Sequence, residues 1–451
     1  MKIIIVGCGK VGTTLAEQLN RENHDIMVID KNASVINSIT ERFDVMGIVG
    51  NGAVYQVQIE AGIKETDLLI ATTNSDELNM LCCLIAKKAG NCHTIARIRN
   101  PEYDSEVRYF REELGLSLAI NPEMAAALEI SRLLRFPSAI KVDTFAKGRV
   151  EIMKFLVPEH SVLHNMPVRD VFRKLDCHVL ICAIEHGNDV IIPDGNSIIT
   201  AGDKISFISS PAEANHFFKH VGIDNNAVKT VILAGGGRIT YYIAKILEHT
   251  KIKVKILENR VERCNELSEL LPKAMIIYGD ATNQELLLQE GIQQTDAFAS
   301  LTGFDEENIM LSLYAASQSK AKLITKINRI AFENVIDSMN LGSVIYPKLI
   351  TAEIILRYVR AMQNSMGSNV ETLYRIVADR AEALEFRVAN EPSIVGIPLE
   401  RLELKKNLLV ACINRKGRII SPRGKDTIEE GDRVIVVTTV TGLNDLKDIL
   451  R

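Results

Sequence analysis

The chain has 451 residues, 47% hydrophobic and 24% charged, an ordinary globular composition that excludes disordered and collagen-like classes. Its 53 Lys and Arg against 57 Asp and Glu leave a net charge of −4, too even for a general nucleic-acid binder. Eight cysteines without a C-x-x-C pair read as buried small hydrophobes of a reducing cytosol; no signal peptide is expected, nor any run of about 18 apolar residues to cross a membrane.

In chain order, apolar strands are expected near 2–6, 25–29, 45–49, 67–72, 94–98 and 117–120, with helices between them. Val11, Leu15 and Leu19 share one helix face; Leu81, Leu84 and Ile85 are expected to do the same later. Asn121-Pro122 opens a connecting helix over 122–135, which Phe136-Pro137 ends. A small α+β module of short strands follows, over 179–184, 189–193 and 204–209, with turns at Gly187-Asn188 and Gly202-Asp203. A linker over 221–229, with Gly222, Asn225 and Asn226, then leads into a second helix-and-strand region.

That region repeats the first. Gly7-Cys8-Gly9-Lys10-Val11-Gly12 and Gly235-Gly236-Gly237-Arg238-Ile239-Thr240 each follow an apolar run and lie 228 positions apart. Asp30 matches Glu258 at the same spacing. Gly50-Asn51-Gly52-Ala53 matches Gly279-Asp280-Ala281-Thr282, and Asp76-Glu77-x-Asn79 matches Asp305-Glu306-x-Asn308, both 229 apart. The small module repeats too, with Ile184 to Pro193 on Ile413 to Pro422. The expected fold class is therefore α/β: two doubly wound parallel-sheet Rossmann domains, each followed by a small α+β domain. The parts are 1–121, a connecting helix 122–136, 137–224, then 225–347, a helix 348–365, and 366–451.

A phosphate needs donors without bulk. Gly7 permits a tight turn after the first strand, Gly9 lets backbone approach a pyrophosphate, and Gly12 lets the helix pack on the strand. Asp30, 23 residues after Gly7, is placed to accept ribose hydroxyls and to disfavour a 2′-phosphate, so NAD is favoured over NADP. Thr73 and Asn74 end the fourth strand, where ligands sit, and Arg97 could reach a phosphate from the fifth. The second-half candidates are Gly235, Gly236, Gly237, Arg238, Ile239, Glu258, Asp280 and Thr302, with Lys326 near the place of Arg97. Thr240, in place of the third glycine, is expected to add bulk where helix and strand approach.

Other groups read more plainly. His216 and His220 are four apart but lack a third ligand nearby in sequence, so a solvated helix face is expected; His160 and His164 read the same way. Cys82-Cys83 reads as helix core, and Asp76-Glu77-x-Asn79 as the capped start of a helix. A dehydrogenase would need a positioned acid or base, and His178 and His186 have no histidine counterparts in the second half.

On these residues, above all Gly7 to Gly12 with Asp30, Ala71 to Asn79, and Ile95-Ala96-Arg97-Ile98-Arg99, the whole chain resembles the peripheral regulatory subunits of bacterial Trk-type potassium transporters. Their larger parts are RCK-N or KTN domains and their smaller parts RCK-C domains, in the order N, C, N, C. The resemblance implies a non-enzymatic subunit that binds NAD(H) and ATP or ADP. It assigns nucleotide contacts to Gly7 to Val11, Asp30, Thr73, Asn74 and Arg97. It also implies a cytoplasmic location at the inner face of the membrane, a homo-oligomeric, tetrameric ring, and docking on a membrane-embedded Trk-type subunit.

Overall fold

A computed structural model of the chain describes residues 1–145, 150–177, 179–187, 189–223, 227–329, 335–336, 339, 341–365, 370–377, 380–388, 393–440, 443 and 445–451. His178, Asn188, Asn225 and Asn226 lie outside the described residues.

The first half opens with strands β1 (Lys2–Val6), β2 (Asp25–Asp30), β3 (Met46–Val49), β4 (Leu68–Ala71), β5 (His93–Arg97) and β6 (Leu118–Ile120). Between them run α1 (Lys10–Arg21), α2 (Ala33–Arg42), α3 (Tyr55–Glu60), α4 (Asp76–Gly90) and α5 (Val107–Glu113), and α6 (Pro122–Arg135) follows. The strands form one parallel sheet in the order β3-β2-β1-β4-β5-β6. Ile3 to Val6 are buried throughout, as a central strand covered on both faces requires. The order reverses between β1 and β4, which opens a crevice at their carboxyl ends.

The small module holds β7 (Lys141–Phe145), β8 (Val150–Leu156), β9 (Met166–Pro167), α7 (Val168–Leu175), β10 (Leu180–His186), β11 (Asp189–Ile191), β12 (Ile198–Ile199), β13 (Lys204–Ser209) and α8 (Pro211–His220). Its main sheet is antiparallel, in the order β11-β10-β13-β8-β7.

The second half repeats both parts. Strands β14 (Thr230–Ala234), β15 (Lys253–Glu258), β16 (Met275–Tyr278), β17 (Ala297–Ser300), β18 (Lys322–Lys326) and β19 (Ser343–Ile345) form a parallel sheet ordered β16-β15-β14-β17-β18-β19. Its helices are α9 (Arg238–Leu247), α10 (Val261–Leu270), α11 (Gln284–Gln289), α12 (Asp305–Gln318) and α13 (Pro347–Ser365). The last sheet is β20-β21-β24-β22-β23, from β20 (Val370–Val377), β21 (Ala381–Arg387), β22 (Leu408–Arg415), β23 (Arg418–Ile420) and β24 (Arg433–Thr438).

The halves exchange helices. Ala126, Ile130 and Leu133 of α6 share a core with Ile239, Tyr242 and Ile243 of α9. Reciprocally, Ala352, Ile355 and Val359 of α13 share a core with Val11, Leu15 and Leu19 of α1. Each connecting helix thus covers the first helix of the opposite half. Asn121 donates to the Tyr242 hydroxyl at 2.8 Å, and Arg360 clamps Glu22 through Nη2 at 2.5 Å and Nε at 3.1 Å. The small sheets also meet, since Ile152, Cys182 and Ile208 pack with Ala383, Cys412 and Val437.

One expected face is corrected. On α4 the buried positions are Asp76, Asn79, Cys82, Cys83 and Ala86, whereas Leu81 is 45% exposed. Small cysteine and alanine side chains let α4 sit close to the sheet, so the larger leucine turns outward. Cys82 and Cys83 are both core, as expected, because the buried arc spans two adjacent positions.

Candidate functional site

At the switch point the chain turns from β1 through Gly7, whose φ is +89°. A Cβ on Gly7 would lie 2.7 Å from the Thr73 backbone nitrogen, so this turn accepts glycine alone. A Cβ on Gly12 would collide with the Gly7 carbonyl oxygen, so helix and strand approach through backbone. Gly9 differs: nothing lies within 4 Å of a Cβ there. It is the N-cap of α1 and has no side-chain cap, which leaves the first amides of the helix facing open space.

Asp30 accepts from Cys8 N at 2.7 Å through one carboxylate oxygen and from Asn32 N at 2.9 Å through the other. The carboxylate therefore fixes the glycine loop as well as standing at the tip of β2. Cys8 itself is buried, and burial, with Asp30 beside it, pushes its thiol up to about 12. Asn51 accepts from Ala53 N at 3.2 Å and shapes the turn after β3.

Thr73 is held by Asn79, whose Oδ1 accepts from Thr73 N at 2.8 Å and from its hydroxyl at 2.7 Å. Asn79 in turn donates to Arg97 O at 2.9 Å, tying β4 to β5. Arg97 donates to Thr73 O, and Arg99 to Asn74 O at 3.0 Å. The start of α4 is capped and carries its acids in the first turn, as expected. Ser75 caps α4, while buried Asp76 accepts from Arg99 N and Asn100 N, each at 2.8 Å. Burial, then the nearby Arg99, draws Arg97 down to about 10.

The second half builds the same loop with different atoms. Gly237 caps α9, again without a side-chain cap. Glu258 accepts from Gly236 N at 2.8 Å and from the Arg260 N and Nε, both at 3.0 Å. Burial works against its charge, but these hydrogen bonds outweigh it and hold the carboxyl below the ordinary range. Thr240 does not obstruct the packing, contrary to expectation. It is fully buried, and its hydroxyl donates to Gly235 O at 2.5 Å. In the first half Thr72 gives the equivalent hydrogen bond to Gly7 O, at 2.9 Å, and Leu301 replaces Thr72 in the second. A cavity of about 400 Å³ lies over this loop, lined by Gly235, Gly236, Gly237, Glu258, Asp280, Thr302 and Lys326 among others.

The two loops face each other across a cleft of about 460 Å³ between the halves. Gly9, Lys10, Val11, Asn74 and Arg97 line it from one side, and Gly237, Arg238 and Ile239 from the other. Gly7, Cys8, Gly12, Asp30 and Thr73 form the framework behind it, whereas Asn51, in the turn after β3, does not line it. Among the described residues the cleft also holds Arg99, Lys326 and Lys348, so six cations face one carboxylate, Glu123. Arg97 Nε and Arg99 Nε are buried there without a hydrogen-bond partner. Sequence reasoning missed Lys348, Glu123 and the sharing of the cleft, because they come from helices that cross between halves. A cavity ringed by cations and by two uncapped helix starts is chemically a polyanion site.

Family models for the TrkA-N domain match residues 3–122 and 231–347, and those for the TrkA-C domain match 152–222 and 383–451. The chain belongs to the TrkA family of Trk-system potassium uptake proteins. It is 32% identical to the Trk system potassium uptake protein TrkA of Haemophilus influenzae, over all of this chain and 97% of that one. It is 32% identical to the TrkA homolog of Archaeoglobus fulgidus over the whole of both. Among solved structures, the GsuK channel aligns at a TM-score of 0.64 with 18% identity, covering 97% of this chain and 76% of that one. The GsuK channel bound to NAD aligns at 0.62 with 17% identity. At these identities the likeness shows the fold.

Away from the cleft, His186 pairs with Asp203 at 2.7 Å, and the second half has Arg415 on Asp432 at the matching places. His164 accepts from Ala201 N at 3.0 Å. His216 and His220 do gain a third neighbour, Cys177, which lies 39 residues away in sequence. No helix among the described residues is long and apolar enough to cross a membrane.

Proposed function

We propose that the chain is the nucleotide-sensing, non-enzymatic regulatory subunit of a Trk-type potassium uptake system. It binds NAD(H), and ATP or ADP, at the glycine loops. The observation that carries this reading is the shared cleft, where α1 and α9 both begin without side-chain caps and six cations converge. Asp30 and Glu258 sit at the tips of the second strands, where a ribose would lie. Phosphates held between the halves would set the angle at which they meet. A ligand shifts such an equilibrium only by its different affinity for the two shapes, and a tenfold preference supplies about 1.4 kcal/mol per site. The subunit would lie at the cytoplasmic face of the membrane, assembled in a tetrameric ring, and pass the movement to a membrane-embedded Trk-type partner.

The test is potassium flux through the reconstituted partner with this chain and ATP, ADP, NADH or no nucleotide. Flux that responds to nucleotide in wild type and not in Gly9→Val ties the gate to the first loop. Equal flux in all four conditions would leave an assembly factor. Oxidation of NADH with added acceptors, beyond slow autoxidation, would instead favour a dehydrogenase.

A further inference from the structure

α8 carries His216 and His220 four residues apart, on one exposed face. Asp176 caps the end of α7 with a left-handed φ of 49°, and the turn brings buried Cys177 against α8. Its Sγ lies 3.4 Å from His216 Nδ1, and ligand atoms of the three residues all fall within 4.8 Å of one another. The two imidazoles stand 4.1 Å apart, centroid to centroid. His220 Nδ1 lies 2.9 Å from the His216 carbonyl oxygen. A carbonyl only accepts, so Nδ1 carries the proton and Nε2 of the neutral ring keeps its lone pair.

We propose that Cys177, His216 and His220 form a three-ligand site for a transition-metal ion of the Zn²⁺ class. One thiolate with two imidazoles suits such an ion, whereas Mg²⁺ and Ca²⁺ require oxygen donors. In a tetrahedral zinc site the ligand atoms stand roughly 3.3–3.6 Å apart, given the usual bond lengths. The Cys177 and His216 pair already has that spacing, and the exposed histidines close on an ion by small side-chain rotations. The thiol, now directed at Leu175 O at 3.0 Å, gives its proton to solvent when the metal binds. The fourth position is left to water. By the 229-residue spacing the second half has Lys406, Asp445 and Ile449 at these places, and it builds its sheet without them. The trio is therefore not a requirement of the fold. α8 is the last helix before the chain crosses to the second half, so an ion there fastens the exit of the first small module to the turn after α7.

The test uses the full chain, stripped with a chelator and titrated with Co²⁺. The expected result is one ion per chain and a thiolate-to-cobalt charge-transfer band in the near ultraviolet, displaced by Zn²⁺. Cys177→Ser removes the band. His220→Gln, an exposed change that leaves the melting curve in place, weakens binding by at least the roughly 10–100-fold that loss of an outer-shell partner costs. If Cys177→Ser fails to fold, His220→Gln decides alone. No band, a band that survives Cys177→Ser, or unchanged affinity in His220→Gln would each overturn the site.

Discussion

Gly9 and Gly12 are both glycines of one loop, yet a side chain at each meets opposite fates. Open space surrounds a Cβ at Gly9, so Gly9→Val should fold with an unchanged melting temperature and lose nucleotide binding at the first loop, as read by calorimetry. Gly12→Ala drives a methyl into the Gly7 carbonyl and should cost about 1–3 kcal/mol in denaturant unfolding. Thr240 makes the complementary case. Thr240→Val keeps the volume but removes the hydroxyl that satisfies Gly235 O, and should cost about 1–3 kcal/mol. The glycine loop and the acid at the tip of the second strand are legible in sequence, because spacing along a strand-turn-helix unit fixes them. The exchange of hydroxyl between Thr72 and Thr240 is not legible, since the donor comes from the end of the neighbouring strand in the first half and from the loop's own helix in the second. A similar exchange joins Cys8 with Asp30 and Gly236 with Glu258. The longer acid comes within 2.8 Å of where a Cβ on Gly236 would sit, so that position stays bare.

At the level of elements, the seam is made by α1, α6, α9 and α13. Ile130 is fully buried between α6 and the second half, so Ile130→Ala should cost about 2–5 kcal/mol and loosen both halves together. The exchange also bears on a shortened chain. Residues 1–222 alone would expose the stripe of α1 that α13 covers, while retaining an α6 whose own partner is missing. Such a half should self-associate, α6 of one copy on α1 of another, and sedimentation should show dimers where the full chain shows no such pairing of halves. The six sheet strands of the first half were readable as short apolar runs, each within a residue or two of its observed ends. Proline positions and the repeat marked α6 and α13 as helices but not what covers them, because a helix boundary carries no address. Periodicity misplaced the face of α4, where Leu81 drew the eye and Cys82, Cys83 and Ala86 do the packing.

For the whole molecule, the cleft's charge is the property that sequence totals conceal, since a net −4 coexists with six cations around one cavity. Lys348 shows the strain of that crowding: burial, then Lys10 nearby, draws it from 10.5 to about 8. Between those values the unfolded chain holds a proton that the folded chain lacks, so stability should rise with pH across the window and lack this contribution below it. A polyphosphate in the cleft restores the proton. Its binding near pH 9 should therefore take up protons, seen as a calorimetric enthalpy that varies with buffer ionisation heat, while at pH 7 this contribution should vanish. Buffer-independent enthalpy at both values would remove Lys348 from the ligand's surroundings. The reciprocal helices have one more consequence. Two identical subunits would be bound by symmetry, so that every substitution altered both mouths of the cleft at once. Joined in one polypeptide, the mouths have drifted apart: Asp30 beside Cys8 in one, Glu258 engaged by Arg260 in the other. Two unequal receptors opening on one charged wall would let one occupant be told from another by the mouth it fills.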